Sequence, residues 1–142
     1  MDKTIDQLLM QLTSAHMNFI QVAHQLSSSK RYESGVCGEW SPKDVVSHLA
    51  GWDKSLKELI VTPHNFNPPY DVHNFNARSV ASRKDLNWED VIDELETNFQ
   101  DLEQALATVE PEMNIYRPVI NWLPGRREDY ELHTGQLAAW LV

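Results

Sequence analysis

Apolar residues return every three or four positions in four separate stretches of this chain, and that repetition limits its fold more than any other feature. In the first stretch Ile5, Leu8, Leu9, Leu12, Ala15, Phe19, Val22, Ala23 and Leu26 fill one helical face, until Ser27–Ser29, Gly35 and Gly38 end it. The second opens at Ser41-Pro42: Ser41 caps, Pro42 takes the first helical position where its missing N–H is harmless, and Asp44 reciprocates. Its stripe of Val45, Leu49, Trp52, Leu56, Leu59 and Ile60 stops near Thr62-Pro63. Positions 63–85 read as a loop holding a short helix over 76–83. Asn87, paired with Asp90, starts a third long helix whose buried face runs from Val91 through Leu95, Phe99, Leu102 and Leu106 towards Pro111. A proline-containing loop through Pro118 and Pro124-Gly125 then leads to a last helix over about 127–142, burying Tyr130, His133, Leu137, Trp140 and Leu141.

Four amphipathic helices predict an all-α, four-helix bundle in a single domain over 1–142. The connection of about twenty residues between the second and third helices is far longer than a hairpin needs, which favours up-down-down-up order.

Charge narrows the partners. Twelve Lys and Arg stand against 21 Asp and Glu, a net −9 that repels phosphate backbones and anionic lipid, so neither nucleic acid nor a membrane surface is expected. The pairs Lys30-Arg31, Arg83-Lys84 and Arg126-Arg127 read as separate solvated charges rather than a basic stripe. Gln7 to Ser29 carries no formal charge over 23 residues, but its amides and imidazoles do not suit hydrocarbon. No charged-then-apolar leader opens the sequence, so the expectation is a cytoplasmic protein. The lone Cys37 excludes an intramolecular disulfide framework and reads as an ordinary thiol. Beside the first helix's neutral outer positions runs a second stripe of Met10, Met17 and Ile20, which points to a homodimer through that helix.

The chemistry lies in the histidines. His133 falls in the middle of the last helix's apolar face, and His48 flanks the second helix's stripe beside Trp52. Asp129 precedes His133 by one turn, a spacing at which a carboxylate and an imidazole share one cation. His48, Asp129 and His133 are therefore candidate metal ligands, with Trp52, Tyr130 and His16 as candidate pocket residues and no catalytic residue assigned. Two inward imidazoles can equally satisfy each other, or bind a small ligand without metal. Nucleophile elbows and phosphate loops are missing from the sequence.

The run Gly38-Glu-Trp40-Ser-Pro-Lys-Asp44-Val-Val-Ser-His48-Leu-Ala-Gly-Trp52-Asp53 resembles the signature of DinB-like four-helix-bundle proteins. Asp129-Tyr130-Glu131-Leu132-His133, followed by Leu137 and Trp140, is similar to their last-helix H-Y-x-x-H motif. Asn76 with Val80, then Asn87-Trp88, resembles the branch that holds the ClbS/DfsB and maleylpyruvate-isomerase-like proteins. The resemblance implies three protein ligands on a divalent ion, zinc or nickel foremost, and small-molecule chemistry such as thiol transfer, isomerisation or hydrolysis of an electrophile. This chain departs from the pattern by carrying Asp129 where the family has a histidine. Two histidines and one carboxylate make a competent ligand set, and they also fit a vestigial site in a metal-free binding protein.

Overall fold

The computed structural model describes residues 1–142, which form five α-helices and no strand. They are α1 (Lys3–His24), α2 (Pro42–Val61), α3 (Val72–Ala81), α4 (Trp88–Leu106) and α5 (Tyr116–Trp140). Helix starts follow the capping chemistry of the sequence. Asp2 accepts from the Ile5 amide, and Ser41 with Asp44 and Asn87 with Asp90 close reciprocal capping boxes. The short helix lies earlier than periodicity suggested, because Asp71 caps it by accepting from the Asn74 amide.

The last helix departs most from expectation. Residues 116–126, read as a loop because of Pro118 and Pro124, belong to α5. Pro118 sits in the first turn, where no intrahelical donor is needed. Pro124 lies inside the helix and cannot donate to the Ile120 carbonyl, at a cost of about 3 kcal/mol. Burial of Val119 and Leu123, worth roughly 1.5–3 kcal/mol each, offsets that loss.

Contacts along the helices fix their directions. Tyr116 Oη donates to Asp2 (2.8 Å), His16 meets Tyr130 (3.1 Å) and Trp140 Nε1 donates to the Lys30 carbonyl (3.3 Å), so α1 and α5 run the same way. Lys43 Nζ reaches the Lys84 carbonyl just before α4, and Asn98 Nδ2 reaches the Ala50 carbonyl, so α2 and α4 also run together. Asp53 meets Arg126 and His48 meets Asp129, so α2 opposes α5. One apolar cluster joins these four helices, centred on Phe19, Leu49, Leu56, Leu95, Leu102 and Leu137.

Helix α3 lies outside that core and buries only Ser79. Gly51 on α2 lets it approach: a Cβ there would stand 2.3 Å from Ser79 Oγ and 2.9 Å from Ser79 Cβ. Before α2, a tight turn with Gly38 at φ +58°, a conformation that favours glycine, brings the Trp40 ring to 5.1 Å from that of His48. Met10 and Met17 on α1 are exposed, and no helix is long and apolar enough to cross a membrane.

Candidate metal centre

Two helices supply the cluster. The capping box places His48 in the second turn of α2, and α5 carries Asp129 and His133 one turn apart on its inner side. One ligand atom from each lies within 4.8 Å of the others. His48 Nε2 is 3.0 Å from Asp129 Oδ1, His133 Nε2 is 3.1 Å from the same oxygen, and the two rings are 5.1 Å apart. Both histidines are buried and Asp129 is half-buried.

Neighbouring groups decide which ring nitrogens carry protons. Trp52 Nε1 can only donate, and it does so to Asn76 Oδ1 at 2.7 Å, which fixes that atom as the amide oxygen. His48 Nδ1, 3.0 Å from the same oxygen, must then be the protonated nitrogen. Gln136 Oε1, 2.7 Å from His133 Nδ1, sets the same tautomer on the second ring. In their neutral forms both imidazoles therefore aim an Nε2 lone pair at a carboxylate. Three acceptors converging on one point require a shared cation or added protons. Orientation of a ligating imidazole through its other nitrogen is the usual arrangement around bound metals.

A buried ionic row lies beneath. Arg126 is 3% exposed and bridges two carboxylates, Asp53 through Nε (2.9 Å) and Asp129 through Nη1 (2.6 Å). Burial disfavours ionisation of Asp129, yet His133, His48 and the Arg126 charge outweigh it and hold its carboxyl far below the usual range. Burial raises the Asp53 carboxyl, with Arg126 and the Tyr130 hydroxyl pulling the other way. Arg126 also corrects the sequence reading of Arg126-Arg127 as solvated charges. Arg83, likewise read as solvated, is buried and forks onto Glu94 at 2.9 and 2.7 Å.

The expected pocket residues divide. Trp52 lines a cavity of about 320 Å³ above the cluster, together with His48, Asn76, Trp122, Gly125, Arg126 and Asp129. Tyr130 does not line it: the side chain is fully buried below and donates its hydroxyl to Asp53. With that proton committed, His16 Nδ1 must donate to Tyr130 Oη. His16 stacks on Phe99 at 4.0 Å, and burial lowers its pKa from 6.5 to about 4. It borders a separate surface groove with Met17, Ile20 and Glu96.

Arg126, Asp53 and Gln136 were missed. Arg126 precedes Tyr130 by four residues and shares its inner face, a signal hidden once residues before 127 are read as loop.

Long helices paired around one apolar core, with two imidazoles and a carboxylate converging from facing helices, define an all-helical protein with a candidate metal centre. The chain belongs to the mycothiol maleylpyruvate isomerase N-terminal domain family, within the DinB-like superfamily, whose model matches residues 22–138. Among solved structures, an uncharacterised protein from Escherichia coli UTI89 shares the fold, with a TM-score of 0.80 at 16% identity over 99% of this chain and 94% of that one. No curated protein matches the sequence.

Proposed function

We propose that this protein is a metal-dependent enzyme acting on a small molecule, with His48, Asp129 and His133 as ligands of one divalent ion. The observation that carries the reading is the convergence of two Nε2 lone pairs on a carboxylate, with the tautomers set by Asn76 and Gln136. Zinc and nickel suit nitrogen donors mixed with one carboxylate oxygen. An ion held by three protein groups supplies a Lewis acid with free positions, able to polarise an electrophile or activate a nucleophile. Thiol transfer, isomerisation and hydrolysis of an electrophile all use that chemistry, and the maleylpyruvate isomerase family name supports the first two. The scaffold is a single-domain up-down-down-up four-helix bundle, supported by the parallel pairings of α1 with α5 and α2 with α4.

One observation favours a second reading. Arg126 already neutralises Asp129 at 2.6 Å, so this carboxylate has a buried counter-ion without any metal, which suits a metal-free small-molecule binding protein. Elemental analysis of protein purified without a metal-affinity tag, followed by calorimetric titration with zinc and nickel, separates the two. The enzyme reading expects one tightly bound ion per chain, with affinity reduced at least 100-fold in His48→Ala and His133→Ala. Absence of binding tighter than about 100 μM, or binding unchanged in both variants, supports the metal-free reading.

A further inference from the structure

His48 and Asp129 form the floor of the cavity, and Trp52 and Trp122 stand on its walls. Those two belong to a series of four rings from four parts of the chain: Phe66 from the connection after α2, Trp122 from α5, Trp52 from α2 and Phe75 from α3, of which only Trp122 and Trp52 line the cavity. Neighbouring centroids are 6.1, 6.0 and 4.3 Å apart in that order, and all four rings are half-buried. Trp52 spends its N–H on Asn76, so towards the cavity it offers only ring surface. Gly125 on the same wall leaves open space, since a Cβ there would meet nothing within 4 Å.

Aromatic surface half-open beside a polar floor is the composition of a ligand pocket, in which flat apolar walls hold a body and a few polar groups orient it. A cavity of about 320 Å³ has room for one ring with a short functional arm, given that roughly 150 Å³ suffices for benzene. Charge selects further. Aromatic faces also attract cations, and Arg126 spends its charge on Asp53 and Asp129, so a divalent ion on the cluster is what would turn the floor net positive. A cationic ligand is disfavoured once that ion is bound.

We propose that the cavity recognises a small molecule with a flat, unsaturated or aromatic body, neutral or anionic, whose oxygen or sulfur donor reaches the His48–Asp129 floor while the body lies along Trp52 and Trp122. This deepens the proposed function and rests on it for the donor end and the charge preference, whereas the aromatic wall exists without metal.

Two pairs of probes test the two ends separately. Benzohydroxamate and acetohydroxamate are titrated calorimetrically into zinc-loaded protein. Benzamide and acetamide are titrated into metal-free protein in EDTA, read by the indole N–H resonances of the tryptophans. The expected result is at least tenfold tighter binding of benzohydroxamate than acetohydroxamate, and saturable shifts of two indole resonances with benzamide but not acetamide. Trp122→Ala reduces the phenyl advantage below threefold and leaves acetohydroxamate affinity unchanged. Phe66→Ala, which removes the ring packed on Trp122 without itself lining the cavity, reduces it partially, and thermal melts verify that both variants fold. Equal affinity of phenyl and methyl probes in both states overturns the inference, as does a phenyl preference that survives both substitutions. Failure to bind zinc while benzamide is still selected removes the metal reading and leaves the aromatic site standing. Zinc binding with equal hydroxamate affinities and no selection of benzamide does the reverse.

Discussion

Replacing Arg126 with leucine isolates the energetics of the buried ionic row. Asp53 is 0% exposed, and its partners are the Arg126 guanidinium and the Tyr130 hydroxyl. Arg126→Leu leaves the buried Asp53 carboxylate without its cation, whereas half-buried Asp129 keeps His48 and His133 beside it, and breaking a buried pair in this way costs about 3–5 kcal/mol. The carboxyl has an escape, because it can take up a proton. Holding a carboxyl protonated costs about 1.4 kcal/mol for each pH unit above its unfolded value near 3.9, hence ~1.5 kcal/mol at pH 5 and ~5.6 kcal/mol at pH 8. The cheaper route sets the loss, so the variant loses about 1.5 kcal/mol at pH 5 but about 3–5 kcal/mol at pH 8. The sign follows from linkage. Without arginine the folded-state pKa of Asp53 lies further above the unfolded one, so the variant regains stability relative to the parent as pH falls. Thermal melts in EDTA at the two pH values read this as a drop in Tm of roughly 10–15 °C at pH 8 and about 5 °C at pH 5. Adding Asp53→Asn removes the stranded charge and should restore at least half of the pH 8 loss. An equal loss at both pH values, or a double variant no better than Arg126→Leu alone, refutes the reasoning.

Three further perturbations address other parts of the molecule. Asn76→Leu removes the acceptor that holds the His48 tautomer and also receives the Trp52 N–H, so calorimetry should show zinc affinity falling about 10–100-fold, alongside a loss of about 1–3 kcal/mol in urea unfolding. Gly51→Ala drives a methyl into Ser79 and should cost about 1–3 kcal/mol in urea unfolding, with Ser79→Gly recovering most of it. His16 resists protonation down to about pH 4, whereas the unfolded chain accepts a proton near 6.5. Stability should therefore fall between pH 6.5 and 4 by up to about 1.4 kcal/mol per unit, a slope that flattens in His16→Phe.

The helices with strong stripes and capping signals were legible from residues alone. Ser41-Pro42-x-Asp44 and Asn87-x-x-Asp90 marked two starts, and the positions of Leu49, Leu56, Leu95 and Leu102 marked the faces they bury. The convergence of His48, Asp129 and His133 was legible from helical phase only together with the family motif, since His48 lies at the flank of its stripe and phase alone equally suits satisfied core histidines. The early part of α5 was not. A local rule about proline was overridden by tertiary burial of Val119 and Leu123, and Arg126 was hidden with it. Nor does helical phase distinguish a cavity wall from a core position, which is why Tyr130 was grouped with Trp52 although it lies under the floor.

The shared direction of α1 and α5 has a consequence for anything fused to this chain. Asp2 sits level with Tyr116, about 26 Å along the α5 axis from His133 at 1.5 Å per residue, whereas Trp140 lies only about 10 Å beyond that histidine. A segment attached before Asp2 departs from the far end of the bundle, and one attached after Trp140 departs beside the histidines. A polyhistidine tag at the carboxyl end would carry competing imidazoles to the neighbourhood of the cluster, while one at the amino end would keep them a bundle-length away. The two ends are likewise far enough apart to carry a donor and acceptor dye, making the helix pair a ruler whose length reports whether α1 and α5 stay in register.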